Sequence, residues 1–222
     1  MIIQKVLKGI SGLKPADADT VLQEGILCNW LRKAASKSIT VPLSEHKLVL
    51  TADNLDQHVN RYKSSILPGH HLLKVGGTTF GEVTPFISTT AGAIQQRNKK
   101  KKNILFDPFV TALNFATNTL RGDGCIFYGY VFILGKEAVE MQQFSEEIRE
   151  LHIYRDYMPY HKQGEITAKI HISSVQLEKY EYFDGPQYQK NKSKSISYYP
   201  TSKINPDYKD PIFISNIREV LS

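Results

Sequence analysis

The run CIFYGYVFIL at 125–134 carries no charge and is dense in aromatic and β-branched side chains. It is too short to cross a bilayer, which takes about 20 apolar residues. It reads instead as a strand of the kind that sits centrally in a sheet. A chain of 222 residues can bury a sizeable core around such a strand.

The rest of the sequence supplies helices first and strands later. Val21, Leu22, Ile26, Leu27, Trp30, Leu31 and Ala34 recur at intervals of three and four, which predicts an amphipathic helix over 20–37 capped by Asp19 or Thr20. A second helix is expected over 51–63, with Leu55, Val59 and Tyr62 facing inward. After Pro68-Gly69 the period changes: HHLLKVGG and PFIST read as short strands. Asp107 as N-cap, Pro108 at the first helical position and Gly122 beyond the end define another helix. A polar helical stretch is expected around Gln142 to Glu150, and strands at HIYRDYM, EITAKIHI and EKYEYF. These elements divide the chain into an N-terminal helical segment (1–66), a core (67–184) and an irregular tail (185–222) ending in a short apolar segment at Ile212 to Leu221. The order predicts an α+β fold.

Composition narrows the function only modestly. Hydrophobic residues at 41% and charged residues at 23% are those of an ordinary globular protein. The formal charge of +6 is compatible with an anionic partner, a nucleic acid or a dinucleotide among them. Much of it is local, in Arg97 to Lys102 and in Lys190, Lys192 and Lys194, and such runs serve either as solvated loops or as phosphate contacts. Cys28 and Cys125 do not make a disulfide framework, and no Cys/His group has zinc spacing, so no metal is expected. Lys5 and Lys8 interrupt the apolar residues at the start of the chain, which therefore does not read as a secretory signal.

Two stretches can carry chemistry. Ser88-Thr89-Thr90 closes the strand PFIST with three hydroxyls, which either cap a turn or orient another catalytic group. Gln163 and Glu165 flank Gly164 at the mouth of the strand ITAKIHI, two apart and so on one face of an extended segment. A carboxylate there can stabilise positive charge developing at a glycosidic bond, while the amide recognises an incoming group. Alone, Q-x-E is a weak signal that many surface strands carry by chance.

Taken in order, PFISTT, the helix with ALNFA, GDGCIFYGYVFIL and QGE leading into ITAKIHISSVQLEKYEYF resemble the bacterial mono-ADP-ribosyltransferase toxins, in the cholera- and pertussis-toxin-like branch. The resemblance covers roughly residues 70–183. It implies an ADP-ribosyltransferase-like fold of two packed, mostly antiparallel sheets around an NAD cleft, with the N-terminal helices as an added layer. It also implies NAD as a substrate, Glu165 as the catalytic glutamate on the nicotinamide-ribose 2′-OH, and Gln163 as the residue that recognises the acceptor. Ser88 would fix the carboxylate, and Thr89 and Thr90 would support the ribose. In this family the first strand usually carries an arginine that contacts the phosphates. The matching place in HLLKVGG holds Lys74, followed by Val75, so either Lys74 replaces the arginine or Arg61 supplies it. The branch often has a histidine between that strand and the serine motif, whereas residues 76–87 contain none.

The function so implied is transfer of ADP-ribose from NAD to a macromolecule, protein or nucleic acid, with arginine disfavoured as acceptor because Q-x-E stands where E-x-E would. A toxin or effector of this kind is secreted or injected without a recognisable signal peptide and acts in the target cytoplasm. An immunity protein or host activator would join NAD and the acceptor among its partners. An NAD glycohydrolase with the same site, and an inactive fold of this type that only binds, are the alternatives.

Overall fold

The computed structural model describes residues 2–91, 93–97, 102–133 and 165–211. In chain order it contains β1 (Ile2–Ser11), α1 (Pro15–Glu24), β2 (Ile26–Leu27), α2 (Asn29–Ser36), α3 (Leu43–Val49) and α4 (Ala52–Asn60). A 3₁₀ turn (His71–Val75) leads to α5 (Phe80–Val83), β3 (Phe86–Thr90), β4 (Ala93–Arg97), β5 (Lys102–Phe106), α6 (Pro108–Ala116) and β6 (Asp123–Ile133). The remainder is β7 (Glu165–Lys169), β8 (His171–Ile172), β9 (Leu177–Asp184), α7 (Gly185–Ser193) and β10 (Thr201–Ile204). The class is α+β, as expected.

One six-stranded sheet organises the described residues, in the order β10-β9-β6-β1-β3-β7, with every neighbouring pair antiparallel. The pairs β2-β8 and β4-β5 form small separate sheets. The apolar run is β6, an inner strand. Its Cys125, Phe127 and Val131 enter the main core with Val6, Leu22, Trp30, Leu55 and Phe80, while Ile126 joins Ala112, Leu113, Ala116 and Phe183 on the opposite face. A strand packed on both faces shows no polar alternation, which is why it reads as a continuous apolar run.

The N-terminal segment departs from expectation. It contains helices but opens with β1, which lies within the sheet and pairs with β6 from Ile2↔Ile133 to Ser11↔Gly124. The helix expected over 20–37 is two helices broken at Gly25 (φ 91°), with Ile26 buried in the short strand between them. HLLKV is a 3₁₀ turn, not a strand: Leu72 and Val75, three apart, are both buried, and the His70 ring accepts the Leu72 amide. The tail is less irregular than its composition suggests, since α7 and β10 lie in it. The helix at 142–150, the strand HIYRDYM, the segment 212–221 and the middle of the basic run fall outside the described residues.

The join that matters most is between β1 and β3. They pair at one position, Leu7↔Thr90, and beyond it the two strands part. β7 pairs with β3 along its full length, so it travels with β3 and the sheet opens a cleft beside β1. Helix α6 lies over the cleft edge because Gly9 lets it. A Cβ on Gly9 would overlap the Ala112 carbonyl oxygen and stand 2.8 Å from the Ala116 nitrogen.

Candidate active site

The register of β3 and β7 sets the site. Thr90 lies opposite Glu165 and Ser88 opposite Thr167, so these four side chains share one face. Ser88 and Glu165 are then diagonal neighbours, close enough to bond. Ser88 helps to lower the Glu165 pKa from that position, and Thr167 Oγ1 lies 3.4 Å from Glu165 Oε1. Thr89 projects to the other face, where its hydroxyl donates to the Ile166 carbonyl at 2.5 Å and ties β3 to β7.

Helix α4 supplies a third group. The Thr51 hydroxyl caps the helix by accepting the Asn54 amide at 3.2 Å, and Leu55 and Val59 are buried against the sheet. His58 falls on that same inward face. Its Nε2 lies 2.8 Å from Ser88 Oγ and 3.5 Å from Glu165 Oε1. Tyr62, one turn further on, meets the His58 ring edge-on at 5.7 Å.

Glu165 is 6% exposed. Burial would raise its pKa, but hydrogen bonds from His58 and Ser88, with the attraction of Lys8 and of His58 in its protonated form, outweigh that and hold it below the ordinary carboxylate value. Lys8, half-buried on β1, is the cation nearest the carboxylate's lobe. Burial, against the attraction of Glu165 and with a smaller push from Arg32, brings its pKa from 10.5 down to about 8.

Around these groups the cleft has two adjoining lobes. One, of about 290 Å³, is bounded by Lys8, Tyr62, Ser88, Glu165, Thr111 and Phe115. The other, of about 260 Å³, shares Lys8, Tyr62 and Phe115 and extends past Ser11 and Asn29 to Arg32 on α2. The arrangement offers an ionised carboxylate between aromatic walls, with cations along the way out. Among the described residues no three His, Cys, Asp or Glu side chains converge as a metal would require.

Several expected site residues meet here and others do not. Ser88, Thr90 and Glu165 line the first lobe; Thr89 borders it too, but its hydroxyl, expected at the ribose, is turned to the Ile166 carbonyl on the other face. Gln163 lies outside the described residues. Lys74 is elsewhere: it sits in the 3₁₀ turn, with Nζ 2.9 Å from Glu45 Oε1. Val75 is a core residue, 1% exposed. Arg61 pairs with Asp56 at the end of α4 and lines neither lobe. The cations that line the lobes are Lys8, from the strand that was not expected, and Arg32 on α2.

His58, Lys8 and Arg32 are the site residues that the sequence reading missed. His58 had a legible signal, a polar ring on the face that carries Leu55, Val59 and Tyr62. Lys8 had one too, a lysine between Val6 and Ile10 on the face of β1 that enters the core. No protein-family model matches the chain, and none of the curated proteins matches it in sequence.

Proposed function

We propose that the chain has an ADP-ribosyltransferase-like fold and uses NAD as a substrate, cleaving the nicotinamide glycosidic bond and transferring ADP-ribose to a protein or nucleic acid. The observation that carries this reading is Glu165, buried yet held ionised by Ser88 and His58 where β1 and β3 part. Breaking the bond between nicotinamide and ribose leaves positive charge on the ribose. A fixed carboxylate in a site of low dielectric stabilises that charge without needing a separate strong base.

The surroundings suit the same ligand. Phe115 and Tyr62 give the first lobe apolar walls for a nicotinamide ring. Lys8, joined by Arg32 in the second lobe, offers positive charge to a pyrophosphate. Nicotinamide leaves with the bonding electron pair, the acceptor's nucleophile takes its place on ribose, and the acceptor loses a proton. Gln163, two residues before Glu165, is the residue assigned to the acceptor. A toxin or effector role follows from the resemblance and from nothing in the cleft itself.

The test is nicotinamide release from NAD by the purified chain, with Glu165→Gln in parallel and labelled NAD in cell lysate. Release by the wild type that falls by at least about a hundredfold in the variant is expected, with label on a macromolecule. Release without label would favour the glycohydrolase. No release would leave a binding module.

A further inference from the structure

The hydrogen bonds around Glu165 extend beyond its serine. His58 is 4% exposed and both of its ring nitrogens are engaged, Nε2 with Ser88 Oγ and Nδ1 with Thr84 Oγ1, each at 2.8 Å. Thr84 is 1% exposed, sits between α5 and β3, and lines neither lobe of the cleft. It therefore reaches the cleft only through the histidine.

Counting protons gives the chain a direction. An ionised carboxylate only accepts, and Nε2 of His58 lies 3.5 Å from Glu165 Oε1 as well as 2.8 Å from Ser88 Oγ, so the proton of Ser88, diagonal to Glu165, is turned to the carboxylate. Ser88 Oγ then meets His58 as an acceptor, and Nε2 must carry a proton. Thr84 Oγ1 already accepts the Phe86 amide at 3.2 Å and has one proton to give. The opposite arrangement has Nδ1–H donating to Thr84 and Ser88 donating to Nε2. It turns a nitrogen lone pair toward the carboxylate oxygen Oε1 at 3.5 Å.

We propose that Thr84 is a positioning residue: it donates to Nδ1 of His58, fixes the Nε2-protonated tautomer, and so directs His58 onto Ser88 and Ser88 onto Glu165. A histidine's role at a site is set by the bond its other nitrogen makes. Here that bond comes from a residue outside the cleft. The inference deepens the NAD reading, and rests on it for the effect on rate but not for the tautomer.

The experiment has two arms on the full chain. In the first, the imidazole nitrogens are isotopically labelled and read by NMR without NAD, in slightly alkaline buffer where an ordinary imidazole is neutral. His58 is assigned by its loss in His58→Gln. The expected spectrum has a proton on Nε2 and none on Nδ1 in wild type and Thr84→Ser, and a mixed or inverted pattern in Thr84→Val. In the second arm, Thr84→Val lowers kcat for nicotinamide release by about tenfold with KM for NAD unchanged, and Thr84→Ser restores it. A proton on Nδ1 in the wild type, alone or with one on Nε2, overturns the proposal. So does a Thr84→Val protein with an unaltered tautomer, or one whose kcat does not follow the change. If Thr84→Val does not fold, the wild-type and Thr84→Ser spectra decide. If the wild type releases no nicotinamide, the NAD reading falls while the tautomer still decides the role of Thr84.

Discussion

A carboxylate buried as deeply as Glu165 stays ionised only while its donors outnumber the cost of leaving water. Its pKa is lower in the folded chain than in the unfolded one. The stability it contributes is therefore full above the unfolded value and is lost as pH falls toward the folded value. Activity that needs the ionised form should persist over the same range. Ser88→Ala removes one donor, so the acid limb of nicotinamide release should move to higher pH while the plateau falls about a hundredfold. A pH–rate profile for the two proteins checks this. An acid limb that stays in place would mean that Ser88 does not hold the carboxylate. The hydroxyl run and Glu165 were readable from sequence because each stands at the end of a strand with a clear apolar period. Lys8 had only the signal of a lysine between Val6 and Ile10, because Gln4, Lys5 and Lys8 itself break the apolar pattern that would have marked β1 as a strand.

At the scale of elements, the cleft depends on how closely α6 approaches β1. Gly9 meets the backbone of Ala112 and Ala116, and Gly124 on β6 meets the carbonyl oxygen of Ala116, so the helix rests on two strands with no side chain between. A Gly9→Val protein has to lift α6, and Thr111 and Phe115 leave the first lobe with it. Such overpacking costs about 1–3 kcal/mol. The expected result is a lower urea midpoint together with a raised KM for NAD. An unchanged midpoint would mean that α6 shifts at no cost. Capping made α6 legible, because Asp107 accepts the Phe109 amide at 2.8 Å and Pro108 needs no donor there. Periodicity alone misled around Gly25. Ile26 and Trp30 continue the helical spacing, yet one is buried in a strand and the other in the next helix. Chain order likewise hid β1, since its partners β6 and β3 both come much later in the sequence. No local pattern records such pairing.

For the molecule as a whole, Lys8 sets stability against function. The unfolded chain keeps a lysine protonated to about its ordinary value of 10.5, whereas the folded chain releases the proton near 8. Between those values the unfolded chain binds more protons, so this residue's contribution to stability rises with pH across the window. Below it the charged ammonium carries its full burial cost. For a half-buried group that is on the order of 1–3 kcal/mol. Under the NAD reading the same charge serves the pyrophosphate, so nicotinamide release should decline as pH rises through about 8, where that cost begins to disappear. The contribution of Lys8 to stability and its contribution to activity should thus run in opposite directions. Lys8→Met is expected to unfold at higher urea than wild type at neutral pH, with an advantage that shrinks above pH 8, and to release no nicotinamide. Taking the difference between the two proteins isolates Lys8 from Tyr128 and Tyr180. Burial and acidic partners raise the pKa of both tyrosines in the folded state, and their contribution to stability falls above pH 10. Lys8→Arg keeps its charge throughout, so its alkaline decline should be absent. If Lys8→Met were instead less stable at neutral pH, attraction to Glu165 would outweigh burial, and the lysine would belong to the scaffold and not to ligand binding.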